Sequence, residues 1–407
     1  MGLVRRTGRT LAILAALALV GSTGAWAAET SVQWSPYLLM SDPIAANPAA
    51  FPWRVVAVSV GPLAAELESS QWTMADVTRF LEALASDGEG AHGSDLAAKG
   101  HQHLRLAARG RAMLSIAAVQ AGWGLTMAGS GSLSEGAVTL LQKRDQADTG
   151  KSYSLDGTSL SLATWQDAFV RVNAPVPFIP RLLGIEGFSA GAGFHWLRGT
   201  SYVAVEGRGT LGTGSEHDGE LTLRRSHQGE GSAFEVGAGA RINRFLSVEG
   251  AYLGGGRITW SDLEQTTVSK ASLDSWPDSW QPQRVDGVDV LRLPDVALLG
   301  VHVRPLAMGL LELSGYFSRI GIGTADPVDR LQAEASVNVL GVLRATLGTA
   351  RDSALSSGSE APWRLYASLG LGLGGSGLTI RAVDLQEIGK GAEARSLGLS
   401  VTASLGL

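Results

Sequence analysis

The sequence contains no cysteine, and this absence excludes disulfide bonds, thiolate metal sites and a lipid anchor on an N-terminal cysteine. Charged residues are also scarce, at 17% of the chain, whereas soluble domains typically have roughly 25%. Beyond the N-terminus, no apolar run approaches the roughly 18 residues that a transmembrane helix requires. Yet the mean hydropathy is +0.12, and 53 residues are glycine. Apolar content that is high but never continuous indicates strands with one apolar face.

The N-terminus has the three parts of a secretory signal peptide. An arginine-rich start is followed by an apolar run at 11–20, which is too short to cross a bilayer as a helix. Ala25-Trp26-Ala27 then supplies a cleavage site of small residues. We therefore expect export with removal of residues 1–27, and an uncleaved anchor is the less favoured alternative. Removing its three arginines from the 33 basic residues leaves 30 against 38 acidic ones, which takes the net charge from −5 to −8 and argues against a nucleic-acid partner.

Strand-like alternation dominates the chain from about residue 152 to the end. Apolar residues alternate with glycine, polar or charged residues in four clear runs, at 188–196, 234–242, 331–339 and 365–373. Runs of about nine to twelve residues have the length that a tilted strand needs to cross a bilayer. Most connections are short, while one from about 261 to 289 is long and polar. Short turns at one end and longer loops at the other are typical of transmembrane β-barrels.

A soluble β-sandwich is the alternative fold, because its strands also alternate. Against it, the apolar face here is mostly Ala, Leu and Val, while the other face carries polar residues in strand after strand. We therefore predict an all-β protein, a transmembrane antiparallel β-barrel of about 14 strands, within a range of about 12 to 16. Closure of the sheet would leave no unpaired backbone edge in lipid.

The region before residue 152 is mixed. Thr73, followed three positions later by Asp76, is typical of a capping box that starts a helix over 73–85. A hairpin is expected from strands at 111–120 and 122–129. The predicted organisation is a signal peptide at 1–27, an N-terminal luminal or plug segment at 28–52, and a barrel at 53–407 with a helical insert at about 67–104 and a second short helix at about 133–144.

If the apolar face meets lipid, the alternate face lines a lumen. Its predicted charged members are Glu206, Arg208, Glu235, Arg241, Glu249, His302, Arg304, Glu312, Glu334, Arg344, Arg364 and Arg381. Because both signs are present, no strong ion selectivity is implied. We expect these groups mainly to pair across the interior, with a specific substrate ladder as the alternative.

The last strand, SLGLSVTASLGL, also alternates. We predict that it pairs with the first strand and so removes the sheet edge. Its apolar residues resemble the C-terminal signal by which outer-membrane barrels are inserted, although that signal usually ends in an aromatic residue. The predicted signal residues are Leu399, Val401, Leu405 and Leu407.

Signatures of chemistry are weak. The sequence has no HExxH, no GxSxG and no P-loop motif, and His101-Gln102-His103 has no third metal ligand nearby in sequence. We therefore expect no enzyme activity, no cofactor and no metal.

Two motifs point to a family. The segment DPIAANPAA at 42–50 is similar to the "D…NPA" segment of FadL-type outer-membrane hydrocarbon transporters and the related TraF-like barrels. Leu293-Pro294 and the following GVHVRP at 300–305 resemble the "LP…GVxYRP" strand of that family, with Val303 in place of the usual aromatic. The resemblance implies a barrel of about 14 strands with Asn47, Pro48 and Ala49 as a luminal plug motif. The helical insert resembles the TraF-like branch more closely.

These observations leave two functions open. The first is a passive outer-membrane channel or transporter for small compounds, hydrophobic ones included. The second is a plugged barrel that serves as a structural or assembly scaffold for a secretion or conjugation system, without transport. The expected partners are outer-membrane lipid, the barrel-insertion machinery and, for a transporter, a small hydrophobic ligand.

Overall fold

A computed structural model of the chain describes residues 54–69, 72–73, 76, 102–142, 151–212, 218–269, 282–305, 310–320, 322, 328–339, 342–352, 363–373, 376–388, 390 and 396–406. The predicted signal peptide, the plug motif Asn47, Pro48 and Ala49, and Leu407 lie outside these residues. Most of the predicted helical insert lies outside them as well. Within it, the Thr73 hydroxyl donates to the Asp76 carboxylate at 2.7 Å, and the Asp76 backbone N–H donates back to that hydroxyl oxygen.

The described residues are mostly strand. The strands are β1 (Arg54–Ser69), β2 (Gln102–Ala117), β3 (Val119–Leu133), β4 (Tyr153–Ser154), β5 (Thr158–Pro175), β6 (Gly187–Arg208), β7 (Thr210–Leu211), β8 (Glu220–Ser226), β9 (Gln228–Asn243), β10 (Leu246–Ser261), β11 (Leu263–Ser269), β12 (Gln283–Val285), β13 (Asp289–Arg292), β14 (Val296–Val303), β15 (Leu311–Ile320), β16 (Val328–Val339), β17 (Leu343–Asp352), β18 (Arg364–Leu373), β19 (Ser376–Val383) and β20 (Ser396–Gly406). Three short helices accompany them in the described ranges: α1 (Glu135–Gln142), α2 (Phe178–Leu183) and α3 (Leu385–Ile388).

Fourteen of these strands close into a transmembrane antiparallel barrel, which confirms the predicted fold. Around the wall the order is β1, β2, β3, β5, β6, β9, β10, β14 and then β15 to β20 in sequence. The barrel closes where β20 pairs with β1, with Ala57 opposite Gly406 and Glu68 opposite Ser396. The alternating last strand thus closes the sheet, as its sequence predicts.

The closing seam contains a bulge in β1. The pairing with β20 shifts by one residue between Val60 and Leu63. Gly61 lies in the bulge with φ +118°, a conformation that side chains other than glycine rarely adopt. A Cβ atom at this position would lie 2.8 Å from both the Thr402 Cα and the Val401 carbonyl oxygen. The register of the seam therefore depends on glycine here.

The barrel has two different ends. At one end, which we call the short-turn end, strands are joined by tight connections such as Arg244–Phe245 between β9 and β10. At the other, the long-loop end, the chain makes its long connections, and several strands extend well beyond the predicted length. β6 has 22 residues, because its second half leaves the barrel and pairs with β8 instead of β9.

A cap stands on the long-loop end. β8, β11 and β12 extend the sheet from β6, and β13 pairs with the end of β10. The predicted polar connection from 261 to 289 is therefore partly strand. Helix α1, inside the range predicted for a second helix, packs with β4, β7, β8 and β11 around buried Leu133, Val138, Leu155 and Leu221. The cap has its own apolar core, separate from the barrel interior.

The predicted hairpin is present, but its bounds are wrong. β2 and β3 turn at Ala117-Ala118, where Ala117 has φ 50°, and both strands are longer than expected. Ile116 and Val119 are opposite each other and face outward, while Ser115 and Gln120 face inward. The turn has no Gly, Asn or Asp signal, which is why the sequence pattern placed it a few residues later.

The two faces of the wall differ as predicted. Exposed residues on the outer face are mostly Val, Leu, Phe and Trp, such as Val172, Leu299 and Leu369, while their strand neighbours on the inner face are buried. None of the helices in the described ranges has the length and apolar character needed to cross a lipid bilayer.

Candidate functional site

The structure places most of the sequence-predicted lumen residues on the inner face of the barrel. Those with buried side chains are Glu235, Glu249, His302, Glu312, Glu334, Arg344 and Arg381. Arg304 and Arg364 are partly buried, with 28% and 13% of their side chains exposed. Arg241, at the short-turn end, is 60% exposed and lies 3.5 Å from Glu186.

Two predicted residues lie elsewhere. Glu206 and Arg208 are exposed and stand beyond the barrel, on the part of β6 that pairs with β8. The pairing of β5 with β6 shifts between Trp165 and Thr164, and this bulge changes which residues face inward above it. Arg208 donates to Glu220 at 2.9 Å, and this hydrogen bond holds the pKa of Glu220 below its usual value.

A row of five buried ionisable side chains crosses the wall from β2 to β9. Arg111 Nη2 donates to Asp167 Oδ2 at 2.8 Å, and the other Asp167 oxygen lies 2.9 Å from His195 Nδ1. His195 Nε2 lies 3.4 Å from Glu235 Oε1, and Arg171 Nη2 donates to Glu235 Oε2 at 3.1 Å. Two guanidinium groups thus flank an acid–histidine–acid row. Opposite charges in contact are the arrangement that burial requires.

Phe169, which lies on β5 between Asp167 and Arg171, contacts three members of this row. Both guanidinium groups lie over its ring, with Arg111 Cζ 4.5 Å and Arg171 Cζ 4.8 Å from the centroid. The His195 ring stacks on it at 5.3 Å. Cation–π contacts of this kind fix the planes of both arginines toward their carboxylates.

Glycines on the inner face let charged partners meet across an intervening strand. Gly193 is paired with Arg171 on one side and Glu235 on the other. A Cβ on Gly193 would lie 2.8 Å from Glu235 Cγ and 2.9 Å from Arg171 Cγ, so these two side chains occupy the space above it. Gly124 has the same place between Arg111 and Asp167.

A second charged group lies next along the wall, from β10 to β17. His302 Nε2 is 2.9 Å from Glu249 Oε1, and its Nδ1 is 3.0 Å from the Ser314 hydroxyl. Arg304 Nε donates to Glu312 Oε2 at 2.8 Å, and Arg344 Nη2 lies 3.6 Å from the other Glu312 oxygen. The strand that resembles the family motif therefore supplies His302 and Arg304 to the interior.

Glu334 is the centre of the third charged group. Tyr366 donates to its Oε2 at 3.2 Å, and Arg381 Nη2 donates to the same oxygen at 3.3 Å. Gly348 separates Glu334 from Tyr366 in the register, and the Tyr366 ring lies over it. We call the three groups together the charged band.

Above the charged band, toward the long-loop end, the inner face becomes apolar on the side of the barrel from β5 to β15, whereas on β16 and β18 it stays charged, with Arg330 buried and Arg364 paired with Asp384. The residues of this apolar wall cluster are Ala163, Trp165, Leu197, Tyr202, Ala204, Ala233, Leu253, Ile258, Trp260, Leu263, Leu293, Val296 and Ile320. Trp260 stacks on Tyr202 at 5.1 Å, and its ring lies over Gly199 and Gly229. Leu293 of the family-like Leu-Pro pair packs here, where Pro294 separates β13 from β14.

Charges also mark the upper limit of the outer apolar face. Arg198 and Glu230, opposite each other on β6 and β9, share the outward parity of the exposed Phe194 and Trp196 below them. Further round the wall, on β15 and β16, Arg319 Nε lies 3.6 Å from Asp329 Oδ1 on the outer face. The lipid-facing belt therefore ends at these pairs.

The predicted C-terminal signal residues follow the alternation where they are described. Leu399 and Leu405 are 53% and 59% exposed on the outer face, and Val401 is half-buried. Ser400 between them is buried on the inner face. Recognition by insertion machinery stays a prediction.

Sequence reasoning missed Arg111, Asp167, Arg171 and His195. On β5 a signal exists, because the outward Ala168, Val170 and Val172 alternate with inward residues over 165–173. In the described part of the chain, no group of three or more His, Asp or Glu residues is arranged to hold a metal.

The closed barrel with a polar inner face and a lipid-facing belt defines the class, a transmembrane β-barrel with the fold of the FadL-type transporters. The TodX deltaS2S3 mutant, described as a monoaromatic hydrocarbon channel, matches with a TM-score of 0.53 and 9% identity over 91% of this chain and 94% of that chain. At this identity the likeness shows the fold alone.

Two further structures are similar over most of their length. A FadL homologue from Pseudomonas aeruginosa has a TM-score of 0.49 and 12% identity over 91% of this chain and 94% of its own. The toluene transporter TbuX of Ralstonia pickettii has a TM-score of 0.46 and 10% identity over 91% and 92%. The sequence matches no protein-family model and no curated protein. Membership of the TraF-like branch stays a prediction.

Proposed function

We propose that the protein is a passive outer-membrane transporter for small hydrophobic compounds. The observation that carries the proposal is the change of the inner face, on the side of the barrel from β5 to β15, from charged near the short-turn end to apolar near the long-loop end. In outer-membrane barrels the longer loops face the outside. An apolar wall at that end gives a hydrophobic solute a surface on which to leave water.

The fold likeness to the monoaromatic hydrocarbon channel supports this reading. The predicted signal peptide supports export. In the proposed mechanism the solute moves by diffusion along the apolar wall cluster, and the N-terminal segment 28–52 controls how open the path is. The proposal assigns the protein no catalysis, cofactor or metal.

Uptake by vesicles tests the proposal. Because a phospholipid bilayer passes small hydrocarbons by itself, the vesicles need lipopolysaccharide in their outer leaflet. The mature chain is compared with a version lacking residues 28–52, using a radiolabelled monoaromatic hydrocarbon as the probe. We expect faster uptake than in protein-free vesicles. If neither version exceeds the protein-free rate, the proposal is wrong.

Matched variants locate the path. Ile258→Asn places an amide in the apolar wall cluster, whereas Ser400→Asn places the same amide at a buried position on β20, away from that cluster. Uptake should fall with Ile258→Asn and stay near the parent rate with Ser400→Asn. Equal effects of the two substitutions would contradict a path along the cluster.

The cap favours a second function, an envelope scaffold for an assembly system. A simple channel has no need of a separate apolar core such as that around Leu133 and Val138. A stoichiometric complex with a purified periplasmic or surface protein, together with absence of uptake, would favour this function. Uptake without such a complex favours transport.

A further inference from the structure

At the short-turn end, the connection between β5 and β6 at 176–186 is longer than the others, such as 244–245 between β9 and β10 and 304–310 between β14 and β15. Pro175 is the last residue of β5, Gly187 is the first of β6, and helix α2 lies between them. The helix ends at Gly184 with φ 67°, and the Ile185 N–H donates to the Pro180 carbonyl at 3.1 Å. A built and capped helix therefore stands where a two-residue turn would be sufficient to join the strands.

The helix exposes apolar side chains. Leu182 is 80% exposed, more than any other large apolar side chain in the described residues, and Phe178 and Leu183 are 67% and 62% exposed. The buried core of the barrel does not need these residues, since they contact little of it. Large exposed apolar side chains that lie together mark an interaction surface.

The position of the helix points to lipid as the partner. Strand β5 leads into α2, and its Val170 and Val172 face the membrane. Ile116 and Val119, beside the adjacent β2–β3 turn, face the membrane as well. Helix α2 therefore follows directly on the lipid-facing belt in the chain and lies at the lower rim of that belt.

We infer that α2 is an interfacial anchor, which seats the short-turn end of the barrel in the headgroup region of the adjoining leaflet. Short apolar helices of this kind lie in the plane of the interface, with the apolar side chains in the acyl boundary. The anchor fixes the depth of the barrel at one point of its circumference, beside β5 and β6. The inference concerns membrane seating and does not depend on transport.

A single-cysteine experiment tests this directly, because the chain has no native cysteine. Leu182→Cys carries a bimane label, and the protein is reconstituted in phosphatidylethanolamine–phosphatidylglycerol vesicles. Bromines are placed on the lipids either near the headgroup or near the chain end, in both leaflets, so that the direction of insertion does not matter. The label should be quenched about twofold more by the headgroup-proximal bromines, because such helices lie roughly 5–10 Å into the boundary.

Two control positions calibrate the measurement. Leu299→Cys lies on β14 in the lipid-facing belt and should be quenched by lipid bromines but not by aqueous iodide. Arg244→Cys lies in the β9–β10 turn at the same end and should be quenched mainly by iodide. Leu183→Cys repeats the test if Leu182→Cys does not fold.

Two results would overturn the inference. A label at 182 that iodide quenches as strongly as the label at 244 would place α2 in water. A label that neither iodide nor lipid bromines reach would place it against protein, and the surface would then serve a protein contact instead of lipid.

Discussion

The same strands build two very different interiors. On β5, Asp167 and Arg171 belong to the charged band, while Trp165, two positions above Asp167, belongs to the apolar wall cluster. On β10, Glu249 contacts His302, whereas Ile258 and Trp260 are buried in the apolar wall cluster. On these strands the change from charge to apolar surface runs along the barrel axis, whereas β16 keeps polar inward residues from Ser336 up to the buried Arg330.

The two halves of the interior are stabilised by different means. In the charged band, each group depends on a specific partner, so removal of one member leaves a buried charge uncompensated. In the apolar wall cluster, stability depends on the volume that is filled. The stability of the charged band therefore depends on the geometry of its pairs, and that of the apolar wall cluster on how its side chains pack. Substitutions can test these two contributions separately.

The largest effect is expected from Glu235→Ala. This substitution removes the carboxylate that Arg171 and His195 share, and it should lower the free energy of unfolding by about 3–5 kcal/mol. Urea unfolding in lipid vesicles, followed by tryptophan fluorescence, measures it. Glu186→Ala removes an exposed carboxylate paired with Arg241 and is the control. Equal losses in both variants would mean that burial of the five ionisable side chains does not increase the cost of removing a carboxylate from its partner.

Ile258→Ala is expected to have the next largest effect, because it leaves a cavity in the apolar wall cluster. It should lower the free energy of unfolding by about 2–4 kcal/mol. The same urea titration measures this loss. Unlike Glu235→Ala, its effect should be the same at low and high pH, because no ionisable group is removed. A strong pH dependence would show that the apolar wall cluster and the charged band are energetically coupled, which would contradict their independent stabilisation.

Gly193→Ala tests whether glycine is needed for the charged band. The added methyl group competes with Arg171 and Glu235 for the same space and should cost about 1–3 kcal/mol. In the double variant Gly193→Ala, Glu235→Ala the cost of the methyl should shrink, because the carboxylate is gone. Purely additive losses would contradict the proposed bridging across β6.

The smallest effect is expected outside the barrel. Glu220→Gln removes the exposed ion pair with Arg208, and the urea midpoint at neutral pH should hardly move, because solvent screens such pairs. The lowered pKa of Glu220 means that its small contribution is present above the usual value of 4.5 and is lost as the pH falls through the folded value. A shift as large as that of Glu235→Ala would contradict this reading.

Alternation in the sequence predicts the two faces of the wall but not the depth of a residue. Residues 365–373 and 331–339 could be identified as strands because each inward neighbour of an apolar residue is small or polar. Trp165 and Trp260 could not be assigned to the interior, because the sequence alone does not distinguish an inward apolar residue from a lipid-facing one. Likewise, Gly193 and Gly124 are strand-breaking residues by propensity, and only the register of the neighbouring strands explains them.

The ends of the elements were the least predictable part. The β2–β3 turn uses alanine in a left-handed conformation, and β6 continues past the membrane into the cap. Neither has a local sequence signal, since both depend on pairing with strands far away in the chain. The Leu-Pro pair at 293–294 was the exception, because proline limits a strand whatever its partners are.

The seam between β1 and β20 also has a kinetic consequence. Ala57 and Gly406, which pair there, are separated by nearly the whole described chain, so their contact carries the greatest loop-closure cost of the barrel. Until that contact forms, two sheet edges are open to other chains. A Cβ atom at Gly61 would lie 2.8 Å from the Thr402 Cα, so the two strands approach closely at the bulge. A slip of β20 by one residue would turn its outward Leu399 and Leu405 toward the interior, and the seam therefore disfavours that register.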